Sequence, residues 1–205
     1  MSVDNYILGI LWAIGRYVKD GGTKYFFLRH HDRYFLDVAK RDLRIPANTH
    51  TVTNRGKLQY RLKMHGFNIY DLERLGWQPR WSEQRDYPSI PEHRDFIRAY
   101  IEMHSSPDTF TIRKKGRSPY KQPRLRIYGN KYFLEELTEI ISSETGAGVK
   151  KVQKATNKSE VSGVLYYTSL PELQGIAEYL YRPVVRHFHR GYYEKLKEML
   201  RRFER

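Results

Sequence analysis

The segment Asp32-Arg-Tyr-Phe-Leu-Asp-Val38 recurs as Asn130-Lys-Tyr-Phe-Leu-Glu-Glu136, at an offset of 98 residues (130 − 32). An internal repeat constrains a fold more than any local signal, because each copy must form the same elements in the same order. Both copies open on a residue type that caps helices, then continue with apolar residues at helical spacing. In the second copy Phe133, Leu134, Leu137, Ile140 and Ile141 form one apolar stripe. Each copy also follows a short β-prone run, Tyr25-Phe-Phe-Leu28 and Leu125-Arg-Ile-Tyr128.

The repeat extends in both directions. A helical pattern at Tyr6–Ile14 matches one at Phe96–His104, with an offset of 90 (96 − 6). The eight-residue difference fits a longer first hairpin in the second half. Tyr70-Asp-Leu-Glu-Arg-Leu75 pairs with Leu170-Pro-Glu-Leu-Gln-Gly-Ile176, each read as a short helix closing its half. Turn signals stand between the strands: Asp20-Gly21-Gly22 and Asn54-Arg55-Gly56, then Lys115–Pro119 and Asn157-Lys158-Ser159. Each half therefore reads helix, hairpin, helix, hairpin, helix, an α+β fold of two αββαββα units.

Residues 1–77 form the first repeat and 92–182 the second. Between them 78–91, with three prolines and no periodicity, is the linker. Residues 183–205 are read as an appended amphipathic helix, with apolar spacing at Tyr192, Leu196, Met199, Leu200 and Phe203.

Strand alternation sends successive side chains to opposite faces. In Lys57–Met64 one face carries Leu58, Tyr60, Leu62 and Met64, and the other Lys57, Gln59, Arg61 and Lys63. In the second half Phe110 and Ile112 alternate with Thr109, Thr111 and Arg113, and Leu125 and Ile127 with Arg124, Arg126 and Tyr128. Lys151, Gln153 and Lys154 extend the polar set, and these strands hold almost no acid. The apolar run Tyr25–His31 leaves open which side faces inward, and with it the role of Arg29 and His30.

Such a face suits duplex DNA. Lysine and arginine neutralise phosphates, arginine and glutamine can read base edges, and a two-stranded ribbon fits the major groove. At the turns Arg55, Lys114, Lys115, Arg117, Lys121 and Lys158 would reach phosphates or flanking base pairs. The whole chain agrees: 37 Lys+Arg against 23 Asp+Glu give a formal charge of +14, which points to an anionic partner. There is no cysteine, which excludes disulfides, zinc–thiolate sites and cysteine nucleophiles. Of the eight histidines only His30-His31 and His187-x-His189 are closely spaced, and no metal site is expected from them. No apolar run is long enough to span a bilayer, so a soluble, intracellular protein is expected: cytoplasmic, and nucleoid-associated if bacterial.

Tyr6-Ile-Leu-Gly-Ile-Leu-Trp-Ala-Ile-Gly15 and Phe96-Ile-Arg-Ala-Tyr-Ile-Glu-Met-His-Ser105 head the two halves. They resemble the paired motifs of single-chain LAGLIDADG homing endonucleases, and the order of hairpins and helices extends the likeness to about Tyr181. The resemblance implies a pseudo-twofold monomer whose two motif helices pack at the centre, with Gly9, Ala13 and Ala99 at the close approach. It further implies that two antiparallel sheets form a saddle on double-stranded DNA.

Family activity rests on one acid near the end of each motif, holding divalent ions for phosphodiester hydrolysis. Here those positions are Ile14 and His104. Isoleucine has no ligand atom, and histidine is a poor magnesium ligand. Glu102 is acidic but lies two residues earlier, about 200° around a helix. Asp4 and Asp20 read as cap and turn residues. The expectation is a duplex-DNA binder with no catalytic residues and no cofactor. The alternatives are an endonuclease with displaced acids and magnesium, or a maturase-like protein that binds structured RNA.

Overall fold

The repeated Asp32 and Asn130 perform the same act in the computed structural model, which describes residues 3–20, 23–65, 67–155, 159–183 and 185–204. Each accepts a hydrogen bond from the backbone N–H two residues on, Tyr34 at 2.9 Å and Tyr132 at 3.0 Å, and so opens a helix. Asp4 does likewise for Tyr6 at 2.9 Å.

The first half runs α1 (Asn5–Ile14), β1 (Gly15–Asp20), β2 (Thr23–His30), α2 (Tyr34–Asp42), β3 (Thr49–Asn54), β4 (Lys57–Met64) and α3 (Tyr70–Glu73). The second runs α4 (Arg94–His104), β5 (Ser105–Ile112), β6 (Tyr120–Asn130), α5 (Lys131–Thr145), β7 (Gln153–Lys154), β8 (Ser162–Tyr167) and α6 (Leu170–Tyr181). A final helix, α7 (Arg190–Arg201), follows. The element order is the one the repeat predicts, with one difference. Helix α6 has 12 residues rather than one or two turns, because its apolar face continues through Leu180, which is fully buried.

Each half builds one four-stranded sheet in the same order, β1-β2-β4-β3 and β5-β6-β8-β7, and every pairing is antiparallel. The turn between β3 and β4 places Arg55 and Gly56 at φ +50° and +72°, the doubly left-handed geometry of a tight hairpin. The Gly21–Gly22 turn, Asn157, Lys158, Arg205 and the side chain of Asp20 lie outside the described residues.

By contacts the chain divides into Met1–Pro79 with Pro88–Met103, and Arg80–Tyr87 with His104–Arg205. In the first unit Phe26, Leu28, Leu62 and Met64 on one sheet face are buried, as are Phe35, Leu36 and Trp77. In the second, Leu125, Ile127, Leu165 and Tyr167 are buried, and so are Phe133, Leu134, Leu137, Leu173 and Ile176. Burial of side chains this size contributes roughly 1.5–3 kcal/mol each, so the apolar alternation is what assigns one face of each sheet to its helices.

Helix α4 groups with the first unit because α1 packs directly on it. The prolyl segment 78–91 has no helix or strand, yet it is not a free tether. Asn130 Nδ2 donates to the carbonyls of Arg80 and Ser82 at 3.1 and 2.6 Å. The Tyr87 N–H donates to Glu136 Oε1 at 3.2 Å, and the Tyr87 ring stacks on Phe133 at 5.5 Å.

Helix α7 packs on α6 and β5, burying Tyr192, Leu196, Met199 and Leu200 as the spacing predicts. His189 caps it, Nδ1 accepting from the Tyr192 N–H at 3.0 Å. Among the described residues no helix is long and apolar enough to cross a membrane.

Candidate nucleic-acid interface

In the first sheet, register decides which residues share a face. Leu28 lies opposite Leu62, and Arg29 opposite Arg61. The face away from the core therefore carries Arg16 on β1, Tyr25, Phe27 and Arg29 on β2, Lys57, Gln59, Arg61 and Lys63 on β4, and His50 and Val52 on β3. Arg29, open from sequence, joins the cationic set. His30 falls on the opposite face, edge-on to Phe35 at 5.0 Å, with Nδ1 accepting from the Asp32 N–H at 3.1 Å.

This face puts cations on an aromatic floor. The Lys63 ammonium stands 4.8 Å from the Tyr25 ring centre, and the Arg61 guanidinium 6.0 Å from that of Phe27. No ion pair engages Arg29, Lys57, Arg61 or Lys63 among the described residues. No acid with a described side chain lies on the face, and Asp20 falls at its end by register. Arg61 Nε and Gln59 Oε1 are buried with no hydrogen-bond partner. Buried polar atoms in that state are uncommon, and here they belong to the two residue types that read base edges.

The second sheet repeats the face with different chemistry. Arg124 and Arg126 lie on it with Gln122, Tyr128 and Tyr166, as alternation predicts. Two assignments are corrected. Phe110 pairs with Gln122 and Ile112 with Tyr120, so both belong to the arginine face, while Thr109 and Thr111 fall on the other. The reason is packing across the strand pair: Phe110 floors Arg124, 4.8 Å below its guanidinium. Nor is this face free of acid, because Asp108 stands directly opposite Arg124 and contacts both arginines.

Gln153 shares this face through its pairing with Val164. Lys154 pairs with Gly163, which puts it on the other side, where its ammonium meets Glu160 at 2.7 Å. Lys151 is exposed just before β7. Arg113 follows the last residue of β5, and Lys114, Lys115 and Arg117 are exposed on the loop to β6. Arg55 is exposed at the tip of the β3–β4 hairpin, and Lys121 lies opposite Thr111, near the start of β6.

The two motif helices meet at small residues. A Cβ on Gly9 would lie 2.6 Å from the Phe96 carbonyl oxygen and 2.7 Å from the Ala99 Cβ, so only hydrogen fits. Ala13, one turn further along α1, is buried. Trp12 meets Phe96 edge-on at 5.9 Å. Between the helices runs a polar core that sequence reasoning missed. The Tyr6 hydroxyl donates to Glu102 Oε2 at 2.6 Å, and burial, Glu102 and Tyr34 together push the phenol far above its ordinary pKa. Arg98, fully buried, pairs with Asp95 at 3.0 Å and lies 5.4 Å from the Tyr6 ring centre. The signal was present as Arg98 and Glu102 inside the apolar pattern of α4, but Tyr6, which both meet, lies in a different helix far away in sequence.

Ile14 and His104 are equivalent in the structure: each is the last residue of its helix, and a strand begins at the next. Ile14 is buried. Asp4 is engaged as a cap and Glu102 is held by Tyr6. Among the described residues no group of three or more His, Cys, Asp or Glu could hold a metal ion.

No family model and no curated protein matches the chain in sequence. Solved structures match it closely in fold. The I-LtrWI LAGLIDADG homing endonuclease bound to target DNA superposes with a TM-score of 0.66 at 14% identity, over 98% of this chain and 90% of that one. The I-SmaMI LAGLIDADG homing endonuclease bound to cleaved DNA gives 0.63 at 10% identity, over 99% and 90%. I-SmaMI on an uncleaved target with calcium gives 0.63 at 10%, over 99% and 92%. Across nearly its whole length, the chain has the fold of the LAGLIDADG homing endonucleases.

Proposed function

We propose that this protein binds double-stranded DNA in a sequence-selective manner and does not cleave it. The observation that carries the reading is the cationic face of the first sheet, where Arg29, Lys57, Arg61 and Lys63 have no ion-pair partner among the described residues and two of them stand on aromatic rings. Free cations in a row attract phosphates, while Gln59 and Arg61 supply donors and acceptors suited to base edges. The similar structures that are bound to DNA support the same use of the fold. One chain carries both sheets, so a monomer suffices.

Side-chain chemistry supports the absence of cleavage. Isoleucine at 14 cannot ligate a metal ion, and the nearest acid on α4, Glu102, is buried and committed to Tyr6. A binder without hydrolysis can act as a regulator, or persist as the remnant of a mobile element.

The test is competition between a random duplex pool and structured RNA of equal length. Duplex DNA is expected to win, with affinity falling steeply as salt rises, because released counterions drive phosphate contacts. Preferential capture of the RNA would favour a maturase-like role, and a flat salt response would argue against any nucleic-acid partner.

A further inference from the structure

The second sheet holds a three-residue unit that has no counterpart among the described residues of the first. Asp108 on β5 accepts from Arg124 through both oxygens, Nε to Oδ1 at 2.9 Å and Nη2 to Oδ2 at 3.0 Å. Arg126, one step along the same face, donates Nη2 to Asp108 Oδ2 at 2.5 Å. All three side chains are about a quarter exposed, at 27%, 23% and 28% for Asp108, Arg124 and Arg126. Arg124 rests on Phe110, and the Arg126 guanidinium lies 5.9 Å from the Tyr128 ring centre. Partial burial alone would raise the Asp108 pKa. The Arg124 hydrogen bonds and the charges of both arginines outweigh it and hold the carboxyl below its ordinary value.

Two free arginines would make a strong phosphate clamp. A carboxylate between them removes about half of that attraction, and instead holds the Arg124 fork through two parallel bonds and Arg126 through one. A guanidinium bound through its Nε–Nη2 edge keeps the Nη1–Nη2 edge available, and that edge matches the O6/N7 pair of guanine. Holding such a fork in one geometry before binding lowers the ordering cost of the contact. In the first sheet Arg29, Lys57, Arg61 and Lys63 are in no ion pair among the described residues, so no carboxylate there offsets their charge or fixes their geometry.

We infer that Asp108 is a positioning residue that makes Arg124 and Arg126 into base readers, so that the second half carries more of the sequence discrimination and the first more of the non-specific attraction. This inference rests on the duplex-binding reading above.

The experiment compares wild type, Asp108→Asn and Arg124→Lys by selection from a random duplex library, with affinities measured on the selected site and on a scrambled duplex. Asp108→Asn is expected to bind scrambled duplex about 3- to 10-fold more tightly, with a salt slope steeper by up to about one unit. Its preference for the selected site should fall about tenfold, at a few adjacent base pairs. Arg124→Lys keeps the charge and loses the fork. It should relax the same base pairs with the salt slope unchanged, a pattern that general loss of structure would not produce.

Unchanged preference in both variants, or a uniform loss of affinity across sequences, would overturn the inference and leave duplex binding standing. Failure of wild type to bind duplex would instead remove the reading beneath it. Wild-type binding without any preferred site would also overturn the inference.

Discussion

Replacing Gly9 by valine is expected to lower the thermal unfolding midpoint by about 10 °C. The substituent has nowhere to go: a Cβ at residue 9 would lie 2.6 Å from the Phe96 carbonyl oxygen and 2.7 Å from the Ala99 Cβ. One obstacle is backbone and the other is already the smallest side chain with a Cβ. Relief therefore requires the helices to move apart, and overpacking of this kind costs on the order of 3 kcal/mol, which for a chain of this size is about 10 °C. The damage should not stay local. Strand β1 begins at the residue after α1, and β5 at the residue after α4, so moving the helices displaces the first strand of each sheet. Calorimetry on the variant checks this, and a midpoint within about 2 °C of wild type would show that the helix contact is looser than described.

The second large effect concerns binding. Substituting Arg29, Arg61 and Lys63 together by glutamine should weaken duplex binding at least about 100-fold near 0.1 M salt and reduce the salt slope by roughly three units. Glutamine keeps the apolar stems that cover Tyr25 and Phe27, so the change is chiefly one of charge. The midpoint of unfolding should hold within a few degrees, since none of the three is in an ion pair among the described residues. Titration of labelled duplex at several salt concentrations gives both numbers. An affinity loss without a change in slope would mean that these residues do not contact phosphates.

Much of this architecture was legible in the sequence because it is written twice. The Asp32 and Asn130 segments each contain their own cap and apolar stripe, so their helices needed no distant information. Alternation in β4 was readable for a similar reason, with Leu62 and Met64 buried and Arg61 and Lys63 facing away. It failed towards the hairpin, where Leu58 is 58% exposed because the strand runs past the core.

Other features depend on partners that periodicity does not name. The run Tyr25–His31 is apolar on both faces, one side packing in the core and the other flooring Arg61 and Lys63, so only the register with β4 placed Arg29. Phe110 misled for the same reason: an aromatic residue in a strand reads as core, yet here it lies beneath Arg124. The Tyr6–Glu102 hydrogen bond and the Asp108 clamp join residues in different elements. No local pattern distinguishes such acids from solvated ones.

The proposed function is duplex binding without hydrolysis, with Ile14 and His104 at the two helix ends. The most direct measurement takes the duplexes that the protein selects from a random pool, adds excess protein with magnesium or manganese, and resolves the strands on a denaturing gel beside a binding gel. Shifted complexes with strands of full length are the predicted result. Discrete cuts at a defined position within the bound site would contradict it.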